Sequence, residues 1–301
     1  MRTLILGCGY VGRPLAALLA GQEDQEVFGA SRSTDDHESL RELGVTPVVA
    51  DVTKPETLEA LPGPFDWVVN TVSSSKGGAD TYREVYLEGT RNLLKWLESQ
   101  TPTKYVWTSS SSVYGQTDGS LIKEHSETEP TTETSRILVE TEKLLLDAAK
   151  EKAFPAVILR VAGIYGPERG HLFLQYLKDE AKITGKPERL LNMIHVDDVV
   201  GIIEACLKGA KGGEIYNAVD EEPAPQVRFF RFLSETLGKP MPPKADPEEP
   251  TKRKRALTNK KVSNRKLLME LGYQFKYPNF RKGYTAEIIR LQRSGVLDFG
   301  L

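Results

Sequence analysis

The sequence contains few cysteines, almost no net charge and no long apolar segment. Its two cysteines, Cys8 and Cys206, are too few for a disulfide framework and indicate a reducing compartment. No stretch approaches the roughly 18 uninterrupted apolar residues of a membrane-spanning helix, and no secretory signal precedes the first apolar run. A net charge of −2 gives no reason to expect a polyanionic partner. We therefore expect a cytoplasmic protein that is not bound to a membrane.

One short basic segment, Lys252–Arg255, is typical of nucleic-acid binding or nuclear targeting when it occurs in a basic protein. Here Glu248 and Glu249 lie beside it, and the whole chain has 42 acidic against 40 basic residues. We therefore expect no nucleic-acid partner. The histidine, cysteine and carboxylate residues show no convincing spacing for metal ligands, so no metal site is predicted.

Short apolar runs alternate with amphipathic segments over the first 160 residues. This alternation is typical of βαβ units, which form a parallel sheet with helices on both faces. Strands are predicted over Thr3–Leu6, Glu26–Ala30, Thr46–Ala50, Trp67–Asn70, Tyr105–Thr108 and Ala156–Arg160. Helices are predicted over Val11–Ala20, Pro55–Leu61, Asp80–Ser99 and Thr134–Lys152.

The pattern changes after about Gly166, and proline accumulates from Pro223 onward. We predict an α/β fold with a Rossmann-type doubly wound parallel sheet over residues 1–167, to which residues 194–220 return. Residues 168–301 are predicted to form mainly a smaller, C-terminal substrate-binding lobe. Later helices are predicted over Leu172–Ile183, Val199–Leu207, Ser263–Leu271 and Phe280–Gln292, with a strand over Glu214–Asn217.

A Gly-x-Gly-x-x-Gly run lies between the first predicted strand and the first predicted helix. In this position Gly7 can form a tight turn, Gly9 lets a pyrophosphate approach the backbone, and Gly12 permits close packing of helix and strand. The phosphates would lie at the helix N-terminus, where free N–H groups and the helix dipole favour negative charge. We predict a dinucleotide site formed by Gly7, Gly9, Tyr10, Val11 and Gly12.

The end of the second strand favours NADP over NAD. NAD sites usually have Asp or Glu here, which accepts hydrogen bonds from the ribose 2′-hydroxyl. This chain instead has Ser31, Arg32 and Ser33, which can pair with or donate to a 2′-phosphate. NAD remains the alternative cofactor, because Asp35 or Asp36 can also reach a ribose. In that case Arg32 is a solvated loop residue that does not contact the cofactor.

Two further strand ends contribute candidate cofactor contacts. Asp51 and Val52 follow the third strand and are placed to meet an adenine edge, although Asp51 can also cap the helix near Lys54–Pro55. Thr71 follows the fourth strand and completes the predicted cofactor-binding set.

Four later segments occur in a defined order: Tyr86–Leu94, Thr108–Gly115, Leu159–Pro167 and Ile194–Val199. They contain Gly-Thr before Leu-Leu, four serines before Val-Tyr-Gly, Leu-Arg before Tyr-Gly-Pro, and His-Val-Asp-Asp. Together they resemble motifs of the extended short-chain dehydrogenase/reductases, the superfamily of nucleotide-sugar epimerases and dehydratases. Tyr86 stands where the motif usually has asparagine, and Val161 stands where it usually has proline.

The resemblance implies a catalytic role for Ser110, whose hydroxyl would bind a substrate oxygen and help to polarise a carbonyl. The alternative is that the four serines simply end a strand. His195 is interpreted as a structural residue, and Asp197 as the N-cap of the helix that follows it.

The proton-transfer pair of the superfamily, Tyr-x-x-x-Lys, is absent from the expected helix. When Glu142–Leu145 is matched to the Glu-x-Leu-Leu that is usual in the family, Thr134 falls at the tyrosine and Leu138 at the lysine. Threonine is too weak an acid to replace the phenol, and leucine carries no charge. Tyr114 and Tyr165 match other motif positions and do not replace the phenol. Arg136 and Glu133 lie near the altered pair, where they either contribute charge or form a solvated helix start.

The resemblance is therefore to an atypical branch of the superfamily. It implies an NADP-binding epimerase, dehydratase or reductase that acts on a sugar nucleotide or a similar small carbonyl or alcohol. The alternative hypothesis is a catalytically inactive dinucleotide-binding sensor or scaffold. A homodimer formed through the helices at Asp80–Ser99 and Thr134–Lys152 would follow the habit of the family.

Overall fold

A seven-stranded parallel sheet forms the centre of the computed structural model, which describes residues 1–74, 78–246 and 257–296. Its order is β7-β6-β5-β4-β1-β2-β3, so the chain reverses direction across the sheet between β1 and β4. Ligands of such sheets bind beyond the carboxyl ends of the strands at this point of reversal. The predicted Rossmann-type fold is confirmed. The strands are β1 (Arg2–Leu6), β2 (Glu26–Ser31), β3 (Thr46–Val49), β4 (Trp67–Asn70), β5 (Lys104–Ser110), β6 (Ala156–Val161) and β7 (Ile215–Ala218).

Helices cover both faces of this sheet, and each face has its own apolar core. The helices are α1 (Gly12–Ala20), α2 (His37–Arg41), α3 (Pro55–Glu59), α4 (Ala79–Tyr82), α5 (Gly89–Leu97), α6 (Glu133–Lys152), α7 (His171–Leu177), α8 (Val196–Gly209), α9 (Gln226–Leu237), α10 (Arg265–Leu271) and α11 (Phe280–Arg293). One face is covered by α1, α8 and α10, and the other by α3, α5 and α6. No helix of the described residues is long and apolar enough to cross a membrane.

The helix predicted over Asp80–Ser99 is interrupted. A π-helical segment, Arg83–Glu88, joins α4 to α5. Immediately after it, Gly89 lies so close to the loop after β3 that a Cβ atom there would be 2.8 Å from Val52 Cγ2. The regular periodicity of the sequence predicts the helix but not the wider turn within it.

The smaller lobe contains α7, α9 and α11, which share a core rich in aromatic side chains. The helix predicted over Leu172–Ile183 ends at Leu177, because Asp179 adopts a left-handed backbone (φ 59°) and Ile183 pairs with Lys244. Helix α9 was not predicted, since the prolines around it indicated a loop. The basic segment Lys252–Arg255 lies outside the described residues.

Three two-stranded pairs lie outside the central sheet. They are Gly163–Tyr165 with Met193–His195, Leu190–Leu191 with Ala224–Pro225, and Leu121–Ile122 with Lys261–Val262. After the last of these pairs the chain returns to the sheet, where α10 packs against β7. Val262 and Leu267 are buried in the same core as α1 and α8.

Candidate functional site

The glycine turn after β1 has the shape that a bound diphosphate requires. Gly7 has φ +85°, and a Cβ there would lie 2.8 Å from the backbone of Val72. A Cβ at Gly12 would lie 2.3 Å from the Gly7 carbonyl oxygen. A Cβ at Gly9, in contrast, would have no heavy atom within 4 Å. Packing therefore requires two of the glycines, whereas the third leaves open space at the N-terminus of α1.

Neighbouring side chains hold this turn in place. The Thr71 hydroxyl lies 2.9 Å from the Gly7 carbonyl oxygen and 3.1 Å from that of Leu6. The Tyr10 hydroxyl donates to the Pro167 carbonyl at 2.9 Å, and the Arg169 guanidinium lies 4.8 Å from the Tyr10 ring centroid. Burial raises the pKa of Tyr10 to about 12, so this phenol remains a donor at neutral pH.

Val11, also in the predicted set, packs at the edge of the core under α1. Sequence analysis did not identify Arg169, because no motif marks a contact formed across about 160 residues of chain.

The segment after β2 carries its acidic side chains in local contacts. Asp36 accepts a hydrogen bond from Arg13 at 2.8 Å, and Asp35 accepts one from Ser33 at 2.8 Å. Arg32 is exposed and has no ion pair within the described part of the chain. The cation is therefore the available charged group at this position.

Ser31 completes this segment by donating to the Ser33 carbonyl at 2.7 Å. Beyond β3, Asp51 Oδ1 accepts hydrogen bonds from the Thr53 backbone and hydroxyl at 3.0 and 2.8 Å. Val52 is buried against Gly89, and its carbonyl accepts from Asn92 at 2.9 Å. The contacts of Asp51 and Val52 with an adenine ring stay predictions.

Ser110 is the last residue of β5 and begins a short 3₁₀ turn, Ser111–Val113. Its Oγ accepts a hydrogen bond from the Ser112 amide at 3.2 Å, which leaves the hydroxyl proton able to point elsewhere. The side chain is half-buried, and the turn packs against α6. Ser110 thus has both a fixed backbone and an available donor at the carboxyl edge of the sheet.

Behind Ser110, a buried ion pair joins α6 to β6. Arg160 Nη2 and Glu142 Oε2 are 2.6 Å apart, and both side chains are at most 5% exposed. Ser109 donates to Glu142 at 2.6 Å, and Arg160 donates to the Tyr114 hydroxyl at 2.6 Å. All the charge is compensated, so the network holds the serine turn against α6 and is not itself reactive. The sequence does not predict this pair, because Glu142 and Arg160 lie on different elements.

Thr134 and Leu138, the positions matched from the sequence to the usual tyrosine and lysine, lie near the start of α6. Thr134 is half-buried, with its hydroxyl 3.1 Å from that of Thr132, and Leu138 is buried in the apolar core. Arg136 and Glu133 are exposed and pair with each other at 3.1 Å. The Arg136–Glu133 ion pair therefore lies on the solvent-exposed side of α6.

The His-Val-Asp-Asp segment connects α8 to the C-terminal region. The prediction that Asp197 caps this helix is wrong, because α8 begins at Val196 and His195 Nδ1 accepts from the Asp197 amide at 3.1 Å. Asp198 accepts from Tyr273 at 2.9 Å and from the amides of Lys276 and Tyr277 at 2.7 and 3.0 Å. The described residues contain no group of three His, Cys, Asp or Glu that could hold a metal ion.

Comparison with known proteins places this geometry in a family. The family model for the NAD-dependent epimerase/dehydratase family matches residues 3–218. Protein YeeZ of Escherichia coli K12 is 29% identical over 289 residues, which cover 92% of this chain and 97% of YeeZ.

Solved structures agree with this result. A putative NAD-dependent epimerase/dehydratase from Methylobacillus flagellatus is 30% identical with a TM-score of 0.76, covering 97% of this chain and 98% of that one. The UDP-glucuronic acid 4-epimerase of Bacillus cereus, solved with UDP-glucuronic acid and NAD, shares the fold at 21% identity with a TM-score of 0.80, covering 98% and 100%. This chain belongs to the NAD-dependent epimerase/dehydratase family.

Proposed function

We propose that this protein is an NADP-binding epimerase, dehydratase or reductase that acts on a sugar nucleotide or a similar small carbonyl or alcohol. The observation that carries the proposal is the glycine turn, which is tightly packed at Gly7 and Gly12 and open at Gly9. Such a turn before α1 suits a dinucleotide diphosphate. Packing does not require glycine at position 9, whereas close approach of a diphosphate to the backbone does.

The choice of NADP is supported by the charges after β2. Asp35 and Asp36 already accept hydrogen bonds from Ser33 and Arg13, whereas Arg32 has no ion-pair partner among the residues that the structure describes. A 2′-phosphate beside Arg32 would gain a charge-assisted hydrogen bond, and a 2′-hydroxyl would gain much less. Gly7, Gly9 and Gly12 would hold the diphosphate, and the nicotinamide of the bound cofactor would exchange a hydride with the substrate.

The substrate class is supported by chemistry and by similarity. A nucleotide sugar is the substrate named for the B. cereus epimerase, whose fold this chain shares. Ser110 lies at the carboxyl edge of the sheet with its hydroxyl proton available, so it is suited to bind a substrate oxygen. We propose a cytoplasmic location from composition alone.

Calorimetric titration of the wild type with NADP⁺ and NAD⁺ tests the proposal. Arg32→Ala should weaken NADP⁺ binding by about 1.5–3 kcal/mol, the usual value for a hydrogen bond to a charged group, and leave NAD⁺ binding nearly unchanged. Arg41→Ala is the matched control, since Arg41 is another exposed arginine, on α2. Equal losses for the two cofactors would show that Arg32 does not read the phosphate.

Incubation with nucleotide sugars then separates the enzyme from the alternative. An enzyme should convert the sugar or change the oxidation state of the cofactor, whereas a sensor would bind the cofactor without consuming it.

A further inference from the structure

The π-helical segment between α4 and α5 carries a tyrosine where the related motif has asparagine. This tyrosine is Tyr86, the fourth of the six residues from Arg83 to Glu88. Segments of this kind are rare and occur frequently at functional sites, because the extra residue in the turn redirects side chains. Tyr86 is half-buried, so its phenol is neither sealed in the core nor fully solvated.

Contacts place this phenol just beyond the carboxyl end of β4, with its ring beside the middle of β5. Its oxygen accepts a hydrogen bond from the Ser74 amide at 3.2 Å, and Ser74 is four residues beyond the end of β4. Its ring centroid is 6.4 Å from that of Trp107, which lies on β5 three residues before Ser110. The glycine turn and Ser110 lie at the same edge of the sheet. The π segment also packs against α6, the helix that lacks the usual tyrosine and lysine.

The polar groups around Tyr86 suit proton exchange. An N–H group that donates to a phenol oxygen stabilises the ionised form relative to the neutral one. Beside it, the buried Ser74 Oγ has no hydrogen-bond partner within the described residues. A buried hydroxyl without a partner is costly, and a polar ligand would remove that cost. The Tyr82 ring lies beside the Tyr86 ring, with the two centroids 4.9 Å apart.

We propose that Tyr86 is the catalytic acid/base of this protein, in place of the tyrosine absent at position 134. This inference rests on the proposed function. In the oxidation of a substrate alcohol, the hydroxyl proton passes to the Tyr86 phenolate and the carbon-bound hydride passes to the oxidised nicotinamide. The products are a carbonyl compound, the neutral phenol and the reduced cofactor. In the reverse direction the phenol returns its proton to the oxygen of the new alcohol.

Ultraviolet titration of tyrosine ionisation tests the position of Tyr86 without any substrate. Oxidised nicotinamide carries a positive charge and the reduced form does not. A phenol within about 4–6 Å of that ring should therefore ionise about one to two pH units lower in the NADP⁺ complex than in the NADPH complex. We expect one such tyrosine in the wild type.

Two phenylalanine variants identify which tyrosine responds. Tyr86→Phe removes only one oxygen, and Tyr82→Phe is the matched control from the same helix. The NADP⁺-dependent shift should disappear in Tyr86→Phe and persist in Tyr82→Phe, while both variants keep NADP⁺ affinity within about twofold of the wild type. A shift that persists in Tyr86→Phe, or no shift in a wild type that binds NADP⁺, would overturn the inference. A wild type that binds neither NADP⁺ nor NAD⁺ would instead overturn the proposed function.

Turnover gives a second measurement. With UDP-glucose, UDP-glucuronic acid and dTDP-glucose as probes, Tyr86→Phe should lower kcat by about 10²–10⁴-fold with little change in KM. Tyr82→Phe should retain most of the activity. Full activity of Tyr86→Phe on any sugar that the wild type converts would contradict the assignment.

Discussion

Asp220 is a buried carboxyl group at the junction of the sheet and the lobe. It is 1% exposed, its Oδ1 accepts from the Glu222 amide at 3.2 Å, and its Oδ2 has no partner within the described residues. Burial raises the pKa of Asp220 well above its usual range, and the nearby carboxylates of Glu222 and Asp198 raise it further. Folding therefore favours the protonated form of this group.

This raised pKa has a defined consequence for stability. The stabilisation from Asp220 is complete below the ordinary Asp pKa of about 3.9 and is lost as the pH rises through the raised value. Asp220→Asn keeps the shape and stays neutral, so it should exceed the wild type in free energy of unfolding at pH 8 by at least about 1 kcal/mol, and by less at pH 5. Urea denaturation at the two pH values measures this. Exposed Glu235→Gln, on α9, is the control, and an equal pH dependence of Asp220→Asn and the wild type would contradict the prediction.

Single residues were predictable from the sequence where a local backbone shape demands them. Gly7 is such a case because the turn itself gives it a left-handed backbone (φ +85°), and Gly12 is another because a Cβ there would meet the carbonyl oxygen of Gly7 in the same short motif. The Glu142–Arg160 pair was not predictable in this way, since its partners lie on different elements and meet only when α6 packs on β6. The same applies to the Arg13–Asp36 contact, which needs the end of β2 to lie beside the start of α1.

At the scale of elements, α6 presents Thr134 and Leu138 one turn apart on the same face. Thr134→Tyr/Leu138→Lys introduces a tyrosine and a lysine with the spacing of the family motif on this face. We expect the double variant to bind NADP⁺ with unchanged affinity and to reduce it at least about tenfold faster than the wild type with some sugar nucleotide. The absorbance of the reduced nicotinamide measures the rate.

Stability needs a separate measurement for this variant. Because Leu138 is 4% exposed and belongs to the core, Leu138→Lys alone should lower the free energy of unfolding by about 1–3 kcal/mol. Unchanged rates in a double variant that still folds would mean that this face does not meet the substrate.

The strands of the sheet were predicted well because buried parallel strands form short apolar runs with clear ends. Their ends differ from the predictions by one to two residues at most, as at β5, which extends to Ser110. The predictions failed where tertiary contacts overrule local pattern. The π segment before Gly89 and the early end of α7 are of this kind. Helix α9 was not predicted because the prolines near it in the sequence indicated a loop.

At the scale of the whole molecule, the homodimer stays a proposal. The outer faces of α5 and α6 carry Arg91, Glu140, Lys143 and Asp147, and no large hydrophobic side chain is exposed on either helix. A contact between two copies through these faces would therefore depend on ion pairs. We expect its dissociation constant to rise at least about tenfold between roughly 50 and 500 mM salt, as measured by analytical ultracentrifugation.

A charge reversal checks the same face. Lys143→Glu should weaken the association, whereas Arg228→Glu, on the lobe helix α9, should not. A dimer that is indifferent to salt, or a chain that is monomeric at every concentration tested, would argue against this interface.

The packing of the C-terminal region against β7 also determines when the sheet core can close during synthesis on the ribosome. The last sheet strand ends at Ala218, yet Leu267, which is buried in the same core, comes about 50 residues later. At a synthesis rate of about 5–20 residues per second, the nascent chain would display this bare apolar surface for several seconds. That interval is when a chaperone could bind it or two growing chains could associate through it. The Rossmann layer therefore closes only after most of the smaller lobe has been translated.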